Sequence, residues 1–444
     1  MFLPFELFKF IFCTLTLLLI DLVLCYNPPK RIYHNSEIID DKLLIFSGWT
    51  NIADYTFELF YLDLSKPFDN NNLTWTLIPE GSLPIHTYQS ATVLSLDNST
   101  IYLIGGYMTN KITHNYDYSN LVYAYNYPTS AWSAPELGGD IVPPRQSIRG
   151  VIDNSRIIYI FGGFNATDLV NNTGDLYNDM NTLNTVSNTW TTLSISENIP
   201  IRCSHYTANI LPNGIIVYIG GIEKVSSFAA SFTLVNINQI KLFDTENLEW
   251  SYVNATGNEI DSRIYFTSVL TPDGYIFIFG GSTYAATNAS LASVSPILAM
   301  LDTNKNSFEW SIPSGSEENS PPSIYGHTAN LYNDYMIITF GINIDTRLYS
   351  SEVYLYNIKS NKWVTTFTPS KPSTTTGSST ATSNPVKTSS PEKKSSKSLA
   401  IGLVTGVGIA VLISFIFIAI FVFRIKRADQ LRQRPDILEI PGSD

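Results

Sequence analysis

A glycine recurs along this chain at nearly constant intervals, each time at the end of a short apolar run. Ile101–Gly106 reads IYLIGG, Ile158–Gly163 IYIFGG, Val217–Gly221 VYIGG and Tyr275–Gly281 YIFIFGG. Weaker copies flank them, LLIFSG at Leu43–Gly48 and IITFG at Ile337–Gly341. The final glycines fall at 48, 106, 163, 221, 281 and 341, so the spacings are 58, 57, 58, 60 and 60. A phosphate-cradling loop occurs once or twice in a chain. Six evenly spaced copies are an internal repeat, and a repeat decides the fold before any single motif does.

A second marker keeps step with the first. Trp75, Trp132, Trp190, Trp250, Trp310 and Trp363 follow the glycines by 22 to 29 residues. Asn126, Asn184, Asp244 and Asn357 stand six residues before their Trp, and Asp63 and Asp302 take that role with longer turns. Trp49 alone lies outside the pattern. Each unit reads as four short strands, the first two rich in Ile, Val and Tyr and suited to burial on both faces. Turns such as LPNG (Leu211–Gly214) and TPDG (Thr271–Gly274) link them. No apolar pattern at helical spacing runs between about residue 30 and residue 368. A unit of this size cannot bury its own faces, whereas a ring of units can.

The apolar run ending in Gly-Gly, the Asx turn and the Trp resemble the kelch motif, and the resemblance covers about three quarters of the chain. It implies an all-β fold, a six-bladed kelch-type propeller over residues 26–368. Blades one and six depart from the motif with Ser47-Gly48 and Phe340-Gly341, as terminal repeats often do. No orphan strand stands ready to complete a split blade.

The flanks point to a membrane. Residues 1–25 carry an apolar core after Lys9 and read as a secretory signal peptide, with an uncleaved anchor as the rival reading. Residues 399–423 are uncharged and long enough for one C-terminal transmembrane α-helix. Arg424, Lys426 and Arg427 follow it and favour a cytoplasmic C-terminus, residues 424–444. Residues 369–398 are almost wholly Ser, Thr, Pro and Lys, the composition of an O-glycosylated stalk or a plain linker. The expectation is a single-pass type I membrane protein with its propeller extracellular or lumenal. The arrangement resembles fungal kelch membrane proteins.

Of three cysteines, Cys13 and Cys25 lie in the leader, so Cys203 remains as a lone thiol expected to be buried on an inner strand. Six sequons, Asn72, Asn98, Asn165, Asn171, Asn254 and Asn288, are expected in turns or loops, though a chain so rich in Asn, Ser and Thr produces about that number by chance. The net charge of -11 and the lack of a basic stripe exclude nucleic acid as a partner.

Catalytic signatures are missing. His34, His205 and His327 stand 14 to 16 residues before the last glycine of their units, where Arg149 and Tyr265 stand in two others. Recurrence at one repeat position is expected to be architectural, with each residue bonding a neighbouring blade. His114 is isolated in a polar loop and has no partner at ligand spacing, and no His pair shows a recognisable metal spacing. The propeller resemblance also brings in copper oxidases similar to galactose oxidase. Those need two histidines, two tyrosines and a cysteine joined to one of them, a set not found here. No cofactor and no metal are expected, and the reading is a non-enzymatic recognition module for a protein or carbohydrate ligand. Long loops after the glycines and between units share one face, where recognition usually sits. Two of them carry aromatics and no sequon: Tyr107, Tyr116 and Tyr118 in one, Phe228 and Phe232 in the other. They are the candidate contacts, with a local plug as the alternative role for the two phenylalanines.

Overall fold

The computed structural model describes residues 25–51, 55–168, 173–224, 232–284 and 290–369. Residues 1–24 of the expected leader (1–25), the expected stalk, the apolar stretch 399–423 and the expected tail lie outside them. Among the described residues no helix is long and apolar enough to cross a membrane. Their one helical element is the 3-10 turn Pro79–Gly81.

Six blades, each of four antiparallel strands, follow one another along the chain; blades one, three and five gain a short fifth strand, which runs parallel in blades three (Gly138–Gly139) and five (Thr256–Gly257). Blade one runs Asn35–Ile39, Lys42–Phe46, Leu59–Asp63, Trp75–Leu77, and blade six ends the series with Thr328–Tyr332, Tyr335–Thr339, Val353–Asn357, Lys362–Val364. The first strand of each blade lies beside the first strands of both neighbours, and blade six meets blade one. The ring therefore closes without a split blade. Two short clasps support the closure. Cys25–Tyr26 pairs with the outer strand of blade one, and Thr366–Phe367, just past blade six, pairs with Phe68–Asp69 of blade one. Phe68 and Phe367 stack at 4.8 Å across that clasp. Cys25, assigned to the leader from sequence, is the first residue of its strand.

The glycine marker joins blades. The backbone N–H of Gly48 donates to the carbonyl of Thr87 in the next blade at 2.8 Å, Gly106 to Arg145 at 2.9 Å and Gly163 to Cys203 at 2.9 Å. Gly221 donates to Arg263 at 3.1 Å, Gly281 to Ile324 at 2.9 Å, and Gly341 closes the circle on Arg31 at 3.1 Å. The approach is too close for a side chain: a Cβ on Gly105 would sit 2.5 Å from the Arg145 carbonyl oxygen. The divergent blades keep the geometry, since Ser47 and Phe340 take the same left-handed backbone, φ 60° and 57°.

The tryptophan marker fills the same junctions. Trp250 of blade four packs on Phe161 of blade three at 4.5 Å, Trp363 on Phe279 at 5.3 Å, Trp132 on Phe46 at 5.7 Å and Trp75 on Phe340 at 5.7 Å. Trp190 and Trp310 join the apolar clusters that hold Ile104 and Ile219 of the preceding blades. All six tryptophans thus bury apolar area at the junction with the preceding blade, and Trp75, Trp132, Trp250 and Trp363 also pack on an aromatic ring of their own blade. Each Asx residue caps its hairpin as expected, for example Asp244 accepting from Glu246 N at 2.8 Å.

Candidate functional site

The long loops are built as a second tier. In every blade the segment after the glycine pairs back on the segment leading into the first strand, as Tyr107–Asn110 does on Ile85–Tyr88 and Ile222–Glu223 on Cys203–Ser204. Both segments lie on the face from which the second-to-third strand loops and the links between blades emerge.

Beneath this tier the axis is ringed by one residue from each blade: Tyr33, Gln89, Ser147, His205, Tyr265 and Gly326, all with φ between 53° and 67°. Five of the six junctions carry a backbone bond from one of these N–H groups to the carbonyl of its neighbour, such as Ser147 to Gln89 at 2.8 Å. The left-handed turn aims each carbonyl sideways along the ring.

The histidines are architectural, in line with the expectation. His34 Nε2 meets Thr328 Oγ1 at 2.9 Å, His205 Nε2 meets Ser147 Oγ at 2.9 Å and His327 Nε2 meets Thr267 Oγ1 at 2.8 Å, each in the preceding blade. Ser147 donates its hydroxyl proton to Gln89 Oε1, so His205 carries its proton on Nε2. Burial, with the Arg149 charge adding to it, lowers His205 to about 3, and burial lowers His327 to about 3. Both are neutral and cannot switch near neutral pH. Their expected equivalence needs correction. Strand register puts His34 and His327 on one level, His205 and Tyr265 one level nearer the loop face, and Arg149 one level farther in. Turn lengths differ between the first hairpins, so equal distance from the glycine does not mean equal height.

Four consecutive blades enclose a cavity of about 410 Å³ on the loop face. Gln89, His205 and Tyr265 of the axial ring form its floor. Tyr88 and Tyr107 of blade two, Phe164 of blade three, Ile222 and Phe232 of blade four and Tyr284 of blade five wall it. Tyr88 stacks on Tyr107 at 4.7 Å, Phe164 meets Phe232 edge-on at 6.2 Å, and the Lys224 ammonium lies 5.8 Å from the Phe232 ring. Phe232 and Tyr284 are 37% and 38% exposed at the rim.

The candidate contacts separate here. Phe232 and Tyr107 come together in this bowl, but Tyr107 is 5% exposed, a wall and not an open contact. Its stack on Tyr88, made by strand pairing, turns the ring inward. Tyr116 is 45% exposed and does not line the bowl, although its side chain reaches the wall residue Tyr88; its ring lies parallel to Tyr118 at 6.4 Å. Tyr118 packs on the cluster between blades one and two. Phe228 lies outside the described residues. Sequence reasoning missed Tyr88, Phe164, Tyr265 and Tyr284, because residues of four separate repeats face one another only once the ring is closed. Cys203 is buried, on the short segment before the first strand of blade four rather than on that strand, and burial pushes its thiol up to about 11. Three buried arginines were also missed. Arg31, Arg145 and Arg263 donate through Nη1 to the carbonyls of Ser47, Gly162 and Gly280 at 3.2, 2.8 and 3.2 Å, tying down alternate blades.

Asn72 and Asn98 are exposed in turns, as a sequon requires. Asn165 lies in strand Phe164–Asp168 and Asn254 ends strand Glu249–Asn254, against the expectation of loops; Asn171 and Asn288 lie outside the described residues. Among the described residues no three His, Cys, Asp or Glu side chains converge as a metal site.

Two family models match, the KLHDC2/KLHL20/DRC7 Kelch-repeats domain over residues 22–221 and the Attractin/LZTR1 beta-propeller over residues 169–389. Kelch domain-containing protein 3 of Rattus norvegicus is 26% identical over 263 residues, 57% of this chain and 64% of that protein, so the chain spans about two thirds of its relative. N-(sulfonatooxy)prop-2-enimidothioate sulfolyase of Thlaspi arvense is 25% identical, over 57% of this chain and 71% of its own length. The solved structure of YjhT superposes with a TM-score of 0.55 at 13% identity, covering 77% of this chain and 99% of that one, a likeness of fold. In sequence repeat, in family match and in fold, this chain's likeness lies with the kelch-repeat β-propellers.

Proposed function

We propose that this chain is a non-catalytic recognition protein that binds a protein partner through the loop face of its propeller. The carrying observation is the aromatic bowl of about 410 Å³. Its size lies within the range of about 300–1,000 Å³ typical of ligand pockets. Aromatic side chains at an open rim over a rigid floor are what interface anchors require. The similarity to kelch proteins supports protein binding. The leader and the apolar stretch 399–423 support display on the outer or lumenal side of a membrane, above a Ser/Thr-rich stalk. A carbohydrate is the second reading, because sugar rings also stack on Tyr and Phe faces. The sulfolyase relative gives an enzyme reading its support, which the side chains of the bowl do not extend.

The test is a binding screen of the full chain against secreted and surface proteins and a glycan array. The double substitution Phe228→Ser with Phe232→Ser should weaken a genuine protein hit tenfold or more, since interface aromatics often carry over about 1 kcal/mol each. The melting temperature should hold. Undiminished affinity would move the contact surface elsewhere, glycan hits alone would favour the second reading, and stoichiometric copper in the purified protein would favour an oxidase.

A further inference from the structure

Away from the bowl, toward the short-turn end of the axis, the channel opens into a separate cavity of about 230 Å³. Its wall is a girdle of small polar side chains, among them Thr92, Thr207, Ser268, Thr328 and Asn330. Two members break the girdle. Register sets Arg149 level with Asn35, Ala91, Thr207, Thr267 and Thr328, and sets Glu37 level with Val93, Val151, Asn209, Val269 and Asn330. The ring closes at every other blade without a charge at these heights, so neither charge is there to hold blades together. Each costs desolvation that a Thr or Val would avoid.

Arg149 also differs from the other arginines near the axis. Arg31, Arg145 and Arg263 each donate to backbone carbonyls, and Arg145 and Arg31 also pair with Asp179 and Glu58. Among the described residues the Arg149 guanidinium makes no hydrogen bond and no ion pair. A cation with free donors, facing a cavity lined by hydroxyls and amides, is a site for negative charge.

We propose that this axial cavity binds a small oxyanion, held by the Arg149 guanidinium and by the hydroxyl and amide groups of the girdle. A volume of about 230 Å³ suits a sulfate, a phosphate or a short carboxylate with a few waters. Glu37 sets when it binds. Burial pushes its carboxyl up to about 7, against the Thr92 hydrogen bond and the Arg149 charge. Below that value it is a neutral donor and above it a repelling carboxylate. The other groups facing it are Asn330 from blade six and Thr92 from blade two, which do not titrate. Farther along the axis stand Tyr206, raised by burial, and the neutral histidines. Anion binding therefore takes up a proton at Glu37 and tightens as pH falls through about 7.

The experiment is calorimetric titration of the full chain with sulfate, whose charge is constant across the range, at fixed ionic strength and at about one pH unit either side of 7. One saturable site is expected, about tenfold tighter at the lower pH, the ratio of protonated Glu37 at the two values. Arg149→Thr places there the residue found in three other blades, so the melting temperature should hold while sulfate binding is lost. Glu37→Gln should keep the site and remove its pH dependence. Should Arg149→Thr fail to fold, the pH profile of Glu37→Gln still decides. Absence of saturable sulfate binding at both pH values, or binding unchanged by Arg149→Thr, overturns the proposal.

Discussion

The blade junctions and the axial channel are made by the same six blades, yet they obey opposite rules. At the junctions every blade repeats one solution: a glycine N–H on the next blade's carbonyl and a Trp on the preceding blade's apolar side chain. Along the axis the blades diverge: Thr recurs at one level in blades four to six, but Arg149 and Glu37 appear once each. The difference is one of constraint. A junction is bounded on both sides by packed protein, so one geometry must serve six times. The axis is bounded by open space, so each blade can vary without breaking closure.

The largest effect that would test this contrast is at a junction. Trp250→Ala should cost about 3–5 kcal/mol in a urea unfolding titration, because its indole is 2% exposed between blades three and four. Trp132, half-buried against Phe46, should lose about 1–2 kcal/mol on the same change. Equal losses at the two positions would mean that junction packing does not set the cost. Gly106→Ala should follow at roughly 2–4 kcal/mol, since the new Cβ would lie 2.6 Å from the Tyr88 carbonyl oxygen on a backbone with φ 88°. A loss under about 0.5 kcal/mol would separate the glycine from ring closure.

At the axis the expected effects are smaller and depend on pH. Glu37 has a folded value of about 7 against an ordinary 4.5, so the fold carries its proton more readily than the unfolded chain does. Its contribution is fully present below the unfolded value and is lost as pH rises through the folded one. Glu37→Gln should therefore be more stable than the natural chain at about pH 8, by up to about 3 kcal/mol, and equal to it near pH 4. A constant difference across that range would refute the assignment. Smallest of all, Phe232→Ser at the rim of the bowl should shift stability by less than about 0.5 kcal/mol. A larger loss would make that ring part of the blade.

The two regions were also unequally legible. Glycine, Asx and Trp markers are local, and their spacing alone gives six units, four strands in each and the hairpin caps. The degenerate motifs Ser47-Gly48 and Phe340-Gly341 were correctly read as blades, because the backbone conformation survives the loss of the usual residue. The axial levels were not legible. His34 and Arg149 both stand 14 residues before the last glycine of their units, but a two-residue turn at Asp40–Asp41 and a longer turn at Asp153–Arg156 set them at different heights. Tyr107 looked like an open loop aromatic because nothing local announces that Tyr88 will stack on it.

By itself the sequence determined the repeat, its number and its strand content, since these depend on residues close together in the chain and on turn chemistry. Tertiary structure alone decided how the ring closes, which aromatics of four blades meet as a bowl, and that Arg149 and Glu37 share a cavity. Those contacts join residues more than fifty positions apart, and their distances are set only when the last blade meets the first.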